Sequence, residues 1–235
     1  MKAQMLVLAA ATAALAAATA ALSAPAAGEA GTRQPVFTRP AAITNPYLPL
    51  AAFARCELAG VEGGARIRVV RRLLARTEPF RHAGRTVRTA VIEDRAYEDG
   101  ALVERTLDYF AQADDGTVYY FGEDVDDYED GKVVGHKGAW RYGRDTDVLG
   151  VAMPARPQVG TAFRFEDVPG ITTESDRVEA RLRTVRVRGR TYRDVIRVRE
   201  LLRPQGQVER KLYARGVGVV LELPSDGRVE LVRCT

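Results

Sequence analysis

The sequence predicts an all-β protein, a strongly curved antiparallel meander that forms a half-barrel or open barrel with one long Pro-containing loop. Three observations predict it. From Ala65 onward apolar residues recur with period two, the spacing of a strand with one face buried. Turn signals punctuate these runs: Glu98-Asp99-Gly100, Asp114-Asp115-Gly116, Glu129-Asp130-Gly131, Arg188-Gly189-Arg190 and Ser225-Asp226-Gly227. Beyond the N-terminal stretch, no window has the pattern of a long amphipathic helix.

In chain order, residues 1–26 combine Lys2, an Ala/Leu run and Ala24-Pro25-Ala26, the pattern of a secretory signal peptide. The run is Ala-rich and only weakly apolar, so a membrane-spanning helix is disfavoured. The expected mature protein is secreted or periplasmic, with no membrane span. Residues 27–44 are rich in Ala, Gly, Thr and Pro and read as a flexible leader. A single β-rich domain is expected over 45–235. It begins with Asn45-Pro46-Tyr47-Leu48-Pro49-Leu50, whose two prolines favour an extended segment able to dock on a sheet edge or plug a barrel end.

The expected strands are 64–76, 85–98, 101–112, 117–124, 131–140, 161–166, 177–188, 191–203, 207–214, 216–223 and 228–234. Val103, Leu107, Tyr109 and Ala111 share one face, with Glu104, Thr106 and Asp108 on the other. Val178, Ala180 and Leu182 hold one phase and Val185 and Val187 the opposite one, which predicts a bulge or bend near Thr184. Tyr142 to Gly160, with Pro154 and Pro157, reads as the long loop.

Cys56 and Cys234 are the only cysteines. In an oxidising compartment an isolated pair points to a disulfide, here joining the first strand to the last. Closing so long a loop is worth roughly 4–5 kcal/mol in the chain-entropy model.

Of the 235 residues, 46% are hydrophobic and 28% charged, ordinary for a globular chain with a sizeable core. The net charge of +4 is segregated. Carboxylates dominate from Glu93 to Asp130, with Arg95 and Arg105 as exceptions, and arginines dominate from Arg181 to Arg199. Two faces of one β-protein account for this without nucleic acid, for which no recognition motif is present.

Candidate chemistry concentrates between Tyr109 and Glu166. Asp124, Asp126, Asp127 and Glu129 are candidate Ca²⁺ ligands, with Glu166 or Asp176 as further contributors. The spacing is not that of an EF-hand, and alternation sends Glu123 and Asp127 to the face opposite Asp124 and Asp126. A solvated hairpin end paired with arginines is the plainer reading. Glu123 and Glu166 could form a carboxylate pair for acid–base chemistry. His82 and His136, the only histidines, lack a spaced third zinc ligand. Gly216-Val217-Gly218 has no following helix, so close backbone approach explains it better than phosphate binding. Half of the aromatics must face inward as core. Trp140, beside the long loop, is the best pocket candidate. The candidate ligand-binding set is Glu123, Asp124, Trp140, Met153 and Glu166.

Several motifs carry a resemblance: Asn45-Pro46-Tyr47-x-Pro49-Leu50, the Val-Tyr-Tyr-Phe-Gly-Glu-Asp run ending at Asp124, Trp140, Met153-Pro154-x-x-Pro157-x-x-Gly160, and Tyr213-Ala214-Arg215-Gly216-Val217-Gly218. Their order resembles a widespread family of uncharacterised secreted bacterial β-rich proteins, in which Pro stands where this chain has Arg215. More loosely, the chain is similar to periplasmic half-barrels that carry lipoproteins. The resemblance implies a secreted β-rich domain and transfers no catalytic residue. The first expectation is thus a non-enzymatic extracytoplasmic binding protein for an apolar, amphipathic or lipid-like small molecule, with no cofactor. The alternatives are a Ca²⁺-stabilised structural module using 123–130 and a hydrolase using Glu123 and Glu166.

Overall fold

The structure, a computed structural model, describes residues 34–203 and 206–235; the expected signal peptide and the first part of the expected leader lie outside them. Fourteen strands pair antiparallel in one sheet: β1 Arg55–Glu62, β2 Ala65–His82, β3 Arg85–Glu98, β4 Ala101–Gln112, β5 Val118–Glu129, β6 Lys132–Gly135, β7 Trp140–Arg141, β8 Gly150–Met153, β9 Ala162–Val168, β10 Thr172–Val187, β11 Arg190–Arg203, β12 Gln207–Ala214, β13 Gly218–Leu223 and β14 Gly227–Cys234. The strand order is β6-β5-β4-β3-β2-β1-β14-β13-β12-β11-β10-β9, and β7 and β8 pair with β5. The first and last strands therefore form the central pair. Cys56 stands opposite Cys234 in that pair and forms the disulfide, across 178 residues of sequence.

The hairpin chemistry operates as expected. Asp99-Gly100 and Asp130-Gly131 take left-handed φ values of 49° and 93°, and 49° and 74°. Two successive left-handed residues twist a turn in the same sense as its strands. Ala83-Gly84 and Arg188-Gly189 make the same turn without an aspartate. Gly60 serves another purpose. A Cβ there would sit 1.8 Å from the Arg228 carbonyl oxygen, so the central pair closes only around glycine.

Several boundaries differ from expectation. β1 is an unexpected strand, and its Gly60 hides the alternation. β2 runs past residue 76 and through Pro79 to His82, with its register shifted between Leu73 and Thr77. The expected strand 131–140 is two short ones, β6 and β7. The long loop holds β8, four residues that pair with β5. The slip expected near Thr184 falls earlier, between Val178 and Ala180. It separates Val178, in the core beside Trp140, from Leu182, Val185 and Val187, which pack around Val195. Nearer Thr184 the partner strand is irregular instead, because Asp194 takes φ 50°.

From residue 34 the expected flexible leader is docked rather than free. Ile43 is fully buried, Phe37 meets His82, Tyr119 and Phe121 edge-on, and the Asp114 amide donates to the Val36 carbonyl. Two apolar anchors thus hold a segment whose composition alone suggests none. The following segment is docked as well, with Tyr47 and Leu48 in the core around Trp140, Met153, Tyr120, Ile196 and Tyr213. Among the described residues no helix is long and apolar enough to cross a membrane.

Candidate functional site: a buried acidic face

Alternation along β5 separates two neighbouring carboxylates. Glu123 stands opposite Asp108 of β4 and opposite Trp140 of β7. Trp140 Nε1 donates to Glu166 Oε1 at 2.9 Å, and the Thr172 hydroxyl donates to Glu166 Oε2 at 2.7 Å. Met153 lies in the same core cluster as Trp140, and all four side chains are buried. Glu123, Trp140, Met153 and Glu166 are thus brought together, while Asp124 points to the opposite face. There Asp124 accepts from Arg141 and from the Tyr109 hydroxyl.

The acidic row continues across the sheet. Glu166 stands opposite Glu174, Asp176 opposite Glu200, and Glu200 opposite Glu209. Like charges directly opposed across strands repel, and burial removes the water that would screen them. Glu166, Glu174, Asp176 and Glu200 are 0%, 4%, 4% and 2% exposed. The nearby cation is Lys211, whose Nζ lies 2.9 Å from Glu200 Oε2. Protein surrounds this ammonium, which sits among the buried carboxylates.

The electrostatics follow from this geometry. Burial, reinforced by Glu166 and Asp108, pushes the Glu123 carboxyl well above its ordinary range, and Glu123 Oε1 has no hydrogen-bond partner. Burial also raises Glu166 to about 7, despite its bonds from Thr172 and Trp140. Asp108 rises to about 7 through burial and the neighbouring Asp94, Glu209 to about 7 and Glu104 to about 9, again chiefly through burial. Glu174 and Asp176 are pushed well up by burial and by neighbouring carboxylates. At neutral pH such a row keeps protons or takes up other cations.

The expected Ca²⁺ set does not converge. Arg141 holds Asp124, Arg105 and His136 hold Asp126, and Asp127 accepts from the Lys137 amide. Glu129 is exposed at the hairpin end. Among the described residues, the group with three ligand-type side chains close enough for one ion is Glu174, Asp176 and Glu200, whose ligand atoms lie within 4.8 Å of one another. The sequence reading named Asp176 only as a secondary contributor and missed Glu174 and Glu200. A signal existed: Glu174 and Asp176 are in phase with Val178, and Glu200 with Ile196, Val198 and Leu202. A carboxylate standing in an apolar row is a carboxylate bound for the interior.

The histidines share no partner. His82 Nδ1 meets the Tyr142 hydroxyl at 3.0 Å, and His136 Nδ1 meets the Val125 carbonyl at 2.7 Å. Gly216 and Gly218 turn the chain tightly behind the 45–50 segment, and the Gly216 amide donates to the Pro46 carbonyl. Between that segment and the sheet lies a cavity of about 40 Å³, walled by Leu48, Leu50, Phe53, Leu73, Ile92 and Arg71 among others. At roughly 10–15 Å³ per water it holds about three. Comparison with protein-family models, with curated proteins and with solved structures gives no match to this chain.

Proposed function

We propose that the chain is an exported, non-enzymatic binding protein whose ligand is small and positively charged and is held by the acidic face. One observation carries this reading: carboxylates stand directly opposed, strand after strand, in the interior, with Lys211 beside them as partial compensation. Burying such a row is costly unless it serves to hold positive charge. The Cys56–Cys234 disulfide is consistent with an oxidising compartment, and the secreted-family resemblance agrees with it.

In the same reading the sheet rolls toward an open barrel around the acidic face. The Trp140–Glu166 bond supports this by linking β7, beside β5, to β9 at the far end of the strand order. So does Gly150 of β8, whose absent Cβ would lie 2.0 Å from the Phe165 carbonyl oxygen of β9.

The cavity behind the 45–50 segment lies apart from the acidic face. A drug-sized apolar ligand needs on the order of 300 Å³ or more, against about 40 Å³ there. An apolar or lipid-like occupant of that cavity therefore requires the 45–50 segment to lift away. For the hydrolase reading, Glu123 and Glu166 are 3% and 0% exposed, so neither meets a substrate in this conformation.

The test is native mass spectrometry and thermal shift of the protein spanning 27–235. It is first dialysed against chelator, then offered Ca²⁺, Mg²⁺, spermidine, a cationic detergent and neutral lipid. Stabilisation by cations and not by neutral lipid is the expected result. Stabilisation by lipid alone overturns the reading.

A further inference from the structure

Resting on the reading of the acidic face as a cation holder, the geometry points to a definite ion site: Glu174, Asp176 and Glu200 bind one Ca²⁺ ion. The three come from adjacent strands, β10 and β11, with Asp176 directly opposite Glu200 and Glu174 two residues before it on the same strand. Their ligand atoms already lie within 4.8 Å of one another, so the sheet register has gathered them without any help from a loop.

A second observation is independent of that clustering. Asp176 is 4% exposed, and its Oδ1 has no hydrogen-bond partner. A buried polar atom normally finds a partner, and leaving one orphaned costs about 1–3 kcal/mol. An ion within the triad supplies what Asp176 Oδ1 lacks.

Charge and size select the ion. Ionised, the three carboxylates carry three negative charges and Lys211 returns one positive charge, so a divalent cation brings the group to neutrality. Ca²⁺ sheds its waters and accepts irregular oxygen geometry, whereas Mg²⁺ keeps several waters and needs a near-ideal octahedron. A buried set of carboxylate oxygens within 4.8 Å of one another therefore suits the larger ion. All ligands are hard oxygens, with no sulfur and no imidazole, which disfavours zinc. The other groups facing the site include Glu166 of β9, Glu209 and Tyr213 of β12 and Glu222 of β13.

The experiment is calorimetric Ca²⁺ titration and thermal unfolding of the 27–235 protein after chelator dialysis, for the parent chain and for Asp176→Asn, Glu200→Gln and Asp126→Asn. The expected result is one Ca²⁺ per chain and a higher Tm in Ca²⁺ than in chelator. Asp176→Asn and Glu200→Gln each weaken binding by at least about tenfold, as loss of a ligand does at minimum, while Asp126→Asn leaves it unchanged. Asp176→Asn removes a carboxylate from a repulsive cluster and so folds at least as well as the parent in chelator, which separates a lost ligand from a lost fold; Glu200→Gln also strips Lys211 of its partner and is read against its own stability in chelator. Ca²⁺ affinity unchanged in Asp176→Asn overturns the site. A response to spermidine without one to Ca²⁺ overturns the site and leaves the cation-binding reading standing. No response to any cation overturns both.

Discussion

Glu123 and Asp124 are adjacent in sequence and have opposite fates. Glu123 enters the acidic row, pushed far above its ordinary ionisation range by burial and by Glu166. Asp124, on the other face, is partly buried as well, but hydrogen bonds from Arg141 and Tyr109 outweigh that burial and hold it below its ordinary value. Arg141 also reaches Glu78, and nearby Arg105 joins Glu93 to Asp126. One face answers each carboxylate with an arginine, and the other largely does not. Carboxylates with partners build the fold, and carboxylates held without them are the ones free to take a ligand.

The largest expected effect that sharpens this contrast is on pH dependence without added metal. The raised groups of the acidic row bind more protons folded than unfolded, so stability is full below their unfolded values near 4. It declines as pH rises through the folded values, about 7 for Asp108, Glu166 and Glu209 and about 9 for Glu104. The lowered groups, Glu93 and Asp124, act in the opposite sense: their contribution is present above the unfolded value and is lost as pH falls below about 4. Urea denaturation in chelator should place the stability maximum near pH 5 and show a marked fall by pH 9. A flat profile between pH 5 and 9 breaks the contrast.

Next in size is Trp140. It is fully buried, so Trp140→Ala should cost about 3–5 kcal/mol. Trp140→Phe, which keeps the bulk but removes the donor to Glu166, should cost about 1–3 kcal/mol in the same denaturation assay. Arg141→Met follows. It strips Asp124 and Glu78 of their shared cation and should cost about 2 kcal/mol at pH 7, a cost that shrinks as acid protonates the lowered Asp124 carboxyl. The smallest effects have opposite signs. Asp124→Asn should destabilise by about 1 kcal/mol, while Asp176→Asn in chelator should be neutral or stabilising by up to about 1 kcal/mol. Equal signs for the two would erase the distinction between the faces.

The fold was legible where local chemistry decides it. Period-two runs located most strands of β2 to β5 and β10 to β14, and Asp-Gly pairs with Arg188-Gly189 located most of their turns, though not Ala83-Gly84. The two cysteines gave the closure. What escaped was decided at a distance. β8 is four residues long and exists because β5 offers an edge. The docking of Phe37 and Ile43 needs surfaces formed by strands far along the chain. Glu123, Trp140, Met153 and Glu166 were singled out from one dense stretch and do meet. Glu174 and Glu200 were passed over because their meaning depends on register: 26 residues of sequence separate them, and only the β10–β11 pairing shows what they face.

The central pairing of β1 with β14 has one more consequence. Every other neighbouring pair in the main strand order joins strands consecutive in sequence, so the molecule is two accordion-folded wings sharing a single spine. Joining residue 235 by a linker to the docked segment that begins at residue 34, and opening the chain at the Asp130-Gly131 turn, would keep every strand and interrupt only the β5–β6 connection. Such a circular permutant should fold even with both cysteines replaced, because the linker then fastens the spine in place of the sulfurs.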